Sequence, residues 1–413
     1  MVSVTKYNTP VLRFDGFDGD WVPRTMRSCG EYSTGNGYSK KDITDEGTPV
    51  IHYGRLYTNY ETAITNIDTF ASPQPGSVIS RGDEVLVPAS GETAEDIVVA
   101  SALLKPGVLI GGDLNVIRPN SGINPIFLAL GLSIGAARDT LVKRAQGKSV
   151  VHLRNSDIQE AEVSFPALEE QRAIGELFAD LDALIEQHRA KHATLQQTRT
   201  ALLQRMFPQD GSDEPELRLG GFSEAWEPRI MRDCAEYSKG SGYSKKDIAD
   251  EGTPVIHYGR LYTKYETAIT NVDTFASPQP GALISRGDEV LVPASGETAE
   301  DIAIASALLQ TGVLIGGDLN VIRPRQNIDP VFLALSLSNG AAKETLVKRA
   351  QGKSVVHLRN PDIQEVEIFF PTLEEQRAIG EVFSNLDALI EAEARYITQL
   401  TQAKTALLQR MFV

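Results

Sequence analysis

Apolar positions along this chain change rhythm partway through, and then the whole pattern repeats. Up to Phe165 they come in short β-branched runs: Val50-Ile51-His52-Tyr53, Glu84-Val85-Leu86-Val87, Val108-Leu109-Ile110 and Asn115-Val116-Ile117. Runs of this kind predict strands, with turns at Glu46-Gly47-Thr48-Pro49, Arg81-Gly82-Asp83 and Gly111-Gly112-Asp113. Pro125–Leu132 and Ala136–Ala145 read as helices. After Phe165-Pro166 the spacing switches. Ile174, Leu177, Leu181, Leu184, His188, Leu195 and Leu202 follow steps of three and four, with gaps at Lys191 and Thr198. No Gly or Pro interrupts Glu176 to Phe207, Glu169 and Glu170 open the first turn, and Arg205 closes the last, as the helix dipole favours. One helix over Leu168–Met206 is predicted, about 39 residues and roughly 58 Å long.

Shifted by 205 residues, the chain says the same thing again: Trp21 falls on Trp226, His52 on His257, Gly147 on Gly352 and Met206 on Met411. Between Gly37–Ile97 and Gly242–Ile302 only five positions differ: Thr44/Ala249, Asn59/Lys264, Ile67/Val272, Ser77/Ala282 and Val78/Leu283. A unit that long is no solenoid repeat, whose period is about 20 to 50 residues. It is a duplicated domain followed by a duplicated helix. The second apolar seam reads Ile379, Val382, Leu386, Leu389, Glu393, Leu400 and Leu407.

A long helix with a narrow seam needs a helical partner, and its own copy is the nearest one. The first helix delivers the chain to the second domain, so the second must run back along it. The fold expected is mixed α/β (α+β): two similar globular domains separated by a long antiparallel coiled-coil pair with pseudo-two-fold symmetry. At the midpoints His188 should face Glu393.

Composition narrows the class. Hydrophobic content of 41% and charged content of 23% are those of an ordinary globular protein. No run of apolar residues is long enough for a membrane span, and no leader pattern opens the chain, so a cytoplasmic protein without membrane contact is expected. The two cysteines, Cys29 and Cys234, are one position in two copies and read as reduced structural thiols. Net charge is −15, with four acids and no base in the linker Pro208–Glu216. An acidic chain argues against nucleic acid as a partner unless a local basic patch exists.

The segment Phe165-Pro166-Ala167-Leu168-Glu169-Glu170-Gln171-Arg172-Ala173-Ile174 bears on this question. Its copy is Phe370-Pro371-Thr372-Leu373-Glu374-Glu375-Gln376-Arg377-Ala378-Ile379. With the helix after each and Gln146-Gly147-Lys148-Ser149 (Gln351 to Ser354) before each, the chain resembles the specificity subunit of Type I restriction–modification enzymes. The resemblance implies a target-recognition domain at 1–165, a spacer helix at 166–207, an acidic linker at 208–216, a second recognition domain at 217–370 and a second helix at 371–413. It also implies double-stranded DNA as ligand, read as an interrupted two-part sequence. Two adenine methyltransferase subunits and two restriction–translocase subunits would be partners, and S-adenosylmethionine, ATP and Mg would belong to them. Such subunits usually carry two unlike domains; near copies imply half-sites that are inverted repeats of almost one sequence. A related system with a fused methyltransferase–nuclease partner, or a scaffold that binds no DNA, remain alternatives.

DNA affinity comes from cations on phosphates, and specificity from planar hydrogen-bonding side chains at base edges. Tyr38-Ser39-Lys40-Lys41 (Tyr243, Lys245, Lys246) is a candidate phosphate contact. Arg55 and Tyr57 (Arg260, Tyr262) offer a guanine-reading arginine beside an aromatic ring. Ser90, Glu92 and Thr93 (Ser295, Glu297, Thr298) are short polar groups after a strand, and Glu92 could accept from cytosine. Lys143, Arg144, Gln146, Lys148 and Ser149 (Lys348, Arg349, Gln351, Lys353, Ser354) form the densest basic cluster. Asn59/Lys264 and Thr34/Lys239 could relax the match between half-sites.

Catalytic readings fail on the residues themselves. Asn124-Pro125-Ile126-Phe127 and Asp329-Pro330-Val331-Phe332 lack the second proline of an adenine-methyltransferase loop, and Pro361-Asp362 before Glu365 and Glu367 lacks a nuclease lysine. No phosphate-binding Gly-x-x-x-x-Gly-Lys-Ser/Thr loop is present, and His188 and His192 lack the partners of a zinc site. No catalytic residue and no metal site are expected.

Overall fold

The structure, a computed structural model, describes residues 9–38, 40–58, 60–147, 149–209, 212–243, 245–352 and 354–412. The chain divides into two units: residues 1–189 with 395–413, and residues 190–394.

Strand Glu84–Pro88 organises the first unit, because all five of its residues are buried. Successive side chains on a strand point to opposite faces. Val85 and Val87 therefore enter a core with Trp21, Phe127 and Phe165, while Leu86 enters a second core with Ile51, Ile64 and Val116. This strand is the middle of a five-stranded sheet in the order Gly30–Thr34, Leu114–Pro119, Glu84–Pro88, Ser101–Leu103, Ala63–Ile64. A second sheet runs Ile43–Thr44, Phe70–Ala71, Thr48–Ile51, Leu109–Ile110, Val78–Ile79. The second unit repeats the first sheet with Glu289–Pro293 at its centre; its other sheet has four strands, with Ile284 reduced to a bridge on Leu314.

Buried Glu84 explains the Arg81-Gly82-Asp83 turn. Its carboxylate accepts the backbone N–H groups of Arg81 at 2.7 Å and Gly82 at 3.1 Å, and the Arg118 guanidinium at 3.2 Å. Helix Pro125–Ser133, capped by Asn124 on Phe127 N–H, has seven buried residues, so it is apolar all round because it is a core helix. Among the described residues no single helix is long and apolar enough to cross a membrane.

Helices span Leu168–Met206 and Leu373–Met411, the limits the periodicity predicts. The Glu-Glu-Gln-Arg segment is the anchor of each. Glu170, 1% exposed, holds Arg13 through two hydrogen bonds of 2.6 and 2.7 Å. Gln171 accepts from Asn124 N–H at 2.9 Å and donates to the Pro166 carbonyl at 2.9 Å, so it ties the long helix to the start of the core helix. Glu375 with Arg218, and Gln376 with Asp329 N–H, do the same in the second unit.

Within each unit the head of one long helix packs against the tail of the other, in antiparallel order. In the first, Phe178 meets Phe412, Asp182 pairs with Lys404, and His188 meets the Tyr396 ring at 4.5 Å. In the second, Lys191 pairs with Glu393, Arg199 with Asp387, and Phe207 meets Phe383. The antiparallel pairing expected from chain order is what both units show. Lys404 also reaches Thr62 and lies over the Tyr60 ring at 5.7 Å, while Arg199 donates to Thr267 at 2.9 Å. Phe412 stacks on Phe127 at 5.2 Å beside Trp21, and Phe207 packs on Phe332 at 5.8 Å. Each domain core is thus closed by the tail of the helix that follows the other copy.

Of the seam positions, Ile174, Ile379, Leu386 and Glu393 are buried and Leu177, Leu181, Leu184, His188, Leu195, Leu202, Val382, Leu400 and Leu407 half-buried. Leu389 is the correction, at 52% exposed. A step of three falls about 60° short of a full turn, which puts Leu389 at the margin of the stripe that Leu386 and Glu393 centre. The periodicity also passes over Phe178 and Phe383, both fully buried, which enter the domain cores together with the tail of the other long helix.

Candidate nucleic-acid interface

Short backbone links gather the candidate segments at one end of the sheets. Gly112 N–H donates to the Gly37 carbonyl at 2.9 Å and Ala89 N–H to the Asp113 carbonyl at 2.8 Å. The Tyr57 hydroxyl donates to the Ser90 carbonyl at 2.7 Å. Strand Ser90–Gly91 pairs with Val151–His152, and His152 in turn exchanges both backbone hydrogen bonds with Gln146, at 2.8 and 3.0 Å. Buried Asn115 donates to the Leu153 carbonyl at 2.8 Å and holds the base of this hairpin. The second unit repeats most of these links, with Ala294 N–H on the Asp318 carbonyl at 2.8 Å, Tyr262 on Ser295 at 2.7 Å and Gln351 on His357.

The same geometry removes several candidates from the surface. Tyr38 is buried with Val50, Ala71 and Leu109, and its hydroxyl bonds Ser77 at 2.5 Å; Tyr243 is buried likewise with Val255, Ala276 and Leu314. Tyr38 has φ 55°, in the left-handed region, while Tyr243 is buried without it. Arg55 is the larger correction. Its guanidinium binds Glu61 at 2.7 Å, Asp68 at 2.9 Å and the Asn66 carbonyl at 3.0 Å, which leaves no fork for a guanine edge. Arg260 is held the same way by Glu266 and Asp273, and that contact lowers the Asp273 carboxyl below its usual range. The strand expected to continue through Tyr53 ends at Ile51, because the chain turns there into the short helix Arg55–Thr58. Thr93 stays exposed but is engaged locally: it caps helix Ala94–Ile97 on Asp96 N–H and donates to the Asp96 carboxylate at 2.6 Å, and Thr298 repeats this. Burial raises the Tyr57 phenol to about 12, and the Tyr262 phenol likewise moves up.

Other candidates stay in solvent. Lys41, Glu92, Lys143, Arg144, Gln146 and Ser149 are exposed, as are Lys246, Glu297, Lys348, Gln351 and Ser354, while Ser90, Ser295 and Arg349 are half-buried. Lys143 and Arg144 end helix Gly135–Arg144 and lead into the hairpin; the nearest carboxylate on Arg144 is Glu160, at 3.9 Å. Lys348 lies 3.7 Å from Glu344. Lys148, Lys353 and Asn59, with the side chains of Lys40 and Lys245, fall outside the described residues. Lys264 lies 3.9 Å from both carboxylates of Arg260, and Lys239 ends the exposed edge of strand Ala235–Lys239. Burial lowers the pKa of His52 and His257, so both imidazoles favour the neutral form. Burial likewise raises the Cys29 and Cys234 thiols, as suits structural residues. Among the described residues no cluster of His, Cys, Asp or Glu could hold a metal ion.

A family model described as the Type I restriction modification DNA specificity domain matches residues 18–197 and again 223–402. The chain belongs to this family. It is similar to the Type I restriction enzyme MjaVIII specificity subunit of Methanocaldococcus jannaschii, 21% identical over 342 residues that cover 80% of this chain and 78% of that one. Its fold is similar to the crystal structure of a Type I system S subunit from M. genitalium, with a TM-score of 0.64 at 15% identity over 98% of this chain and 99% of the other. A chain solved in a study of assembly and conformational transition in the type I system gives 0.51 at 19% identity, over 96% and 98%. This chain is therefore a specificity subunit with two target-recognition domains, and each domain carries one of the hairpin clusters.

Proposed function

We propose that the two clusters read two half-sites of nearly one sequence, arranged as an inverted repeat, and that this chain does no chemistry itself. The observation that carries the proposal is duplication of the cluster: Leu141–Asn155 and Leu346–Asn360 are identical in sequence and make the same hairpin bonds. The antiparallel run of helix segments within each unit supports opposite polarity of the two half-sites. Exposed Lys143, Arg144 and Lys348 and half-buried Arg349 would contact phosphates, with Gln146, Ser149 and Glu92 and their copies nearer the bases. In this reading two adenine methyltransferase subunits and two restriction–translocase subunits supply the reactions, with S-adenosylmethionine, ATP and Mg bound to them. Mapping methylated adenines in host DNA tests it: inverted half-sites are expected, and two unrelated half-sites would reject the symmetric reader.

A further inference from the structure

Val150 stands at the tip of the hairpin that Gln146 and His152 close, 49% exposed, and Val355 holds the same place at 50%. A single exposed valine on a surface is ordinary. This one is displayed. The hairpin is clamped on one side by strand Ser90–Gly91 and at its base by Asn115. Gly147 has φ 149°, and a Cβ there would lie 1.8 Å from the Val150 carbonyl oxygen, so glycine alone permits this turn. Polar Gln146 and Ser149 flank the valine, and Lys143 and Arg144 precede it.

A cationic hairpin with an apolar tip matches one groove of duplex DNA. The major groove admits a two-stranded β element, and thymine is the base that presents an apolar group there, its 5-methyl. We infer that Val150 and Val355 each contact a thymine methyl, so that one T·A pair in each half-site is fixed by an apolar contact. This rests on the DNA-reading proposal above but goes beyond it, because the tip valine lies outside the planar and charged groups that the charge pattern singles out.

The test uses the chain assembled with its methyltransferase partners and a duplex carrying the mapped target, each thymine replaced in turn by deoxyuridine. One position per half-site is expected to weaken binding about fourfold, the worth of one buried methyl group. Val150→Ala with Val355→Ala removes the contact in both half-sites, so it should bind the unmodified duplex about sixteenfold more weakly, lose the response at those positions and keep the wild-type salt dependence. Val150→Thr with Val355→Thr keeps one γ-methyl at each site and should keep part of that response. The inference is overturned if no position responds in the wild type, or if the alanine variant responds like the wild type everywhere. Absence of binding to any duplex would instead sink the DNA-reading proposal itself.

Discussion

The short helix that begins at Arg55 and the hairpin that follows Lys143-Arg144 carry similar residues, cations near aromatic or amide groups, and meet opposite fates. Arg55 is 15% exposed and bound to two carboxylates and a carbonyl; Arg144 is 43% exposed with one carboxylate 3.9 Å away. Both regions belong to one surface through the Tyr57–Ser90 bond, so location does not separate them. What separates them is supply of anions. Glu61 and Asp68 stand on either side of strand Ala63–Ile64, whose place in the sheet delivers both to the guanidinium. A cation surrounded by its own chain's acids builds the domain, and a cation at a helix end with few acids stays exposed.

Replacing Arg55 and Arg260 by alanine should have the largest effect if this contrast is sound. The first unit would lose about 2 kcal/mol, because Glu61 stays partly buried without Arg55, and the second less, because Lys264 lies 3.9 Å from Glu266; thermal unfolding would show the drop. Surviving protein should direct its partners to methylate the same sites; unchanged stability with relaxed selectivity would reverse the contrast. Removing Lys143, Arg144, Lys348 and Arg349 together should leave the melting temperature alone. Binding should weaken on every duplex, and the slope of log affinity against log salt should fall by about 1 for each phosphate that is no longer neutralised. A slope that does not move would place the phosphate-binding cations elsewhere. The smallest effect is expected for Tyr57→Phe, about 1 kcal/mol from removal of the bond to Ser90. It carries a pH signature. The folded phenol sits at about 12 against an ordinary value of 10, so its contribution is complete below pH 10 and is lost as pH rises toward 12. Melting curves from pH 9 to 12 should therefore fall less steeply in the variant.

Much of the fold was legible because it is periodic. The limits of both long helices and the antiparallel pairing follow from spacing, end charges and chain order. The Glu-Glu-Gln-Arg segment marked the helix start without saying why; Arg13 and Asn124, its partners, lie far away in the chain. The candidate interface was legible as segments, since four separate stretches were singled out and the structure links them through backbone bonds. Which side chains point outward was not. Tyr38 has the composition of a surface turn and the burial of a core ring, and Thr93 has the look of a polar contact while serving as a cap. Exposure of Val150 had no signal in hydropathy, because a valine beside Val151 reads as the start of a strand.

Local order along the chain was enough to determine the duplication, the domain-and-helix alternation, the strands buried on both faces and the glycine-dependent turns. These depend on near neighbours and on period. Tertiary structure alone decided that Phe412 and Phe207 close the cores, that Lys404 and Arg199 tie helix tails to Thr62 and Thr267, and that Arg55 is held internally. Each of those outcomes turns on which charged or apolar group arrives first within reach of another, and that is set by folding in space rather than by order in the sequence.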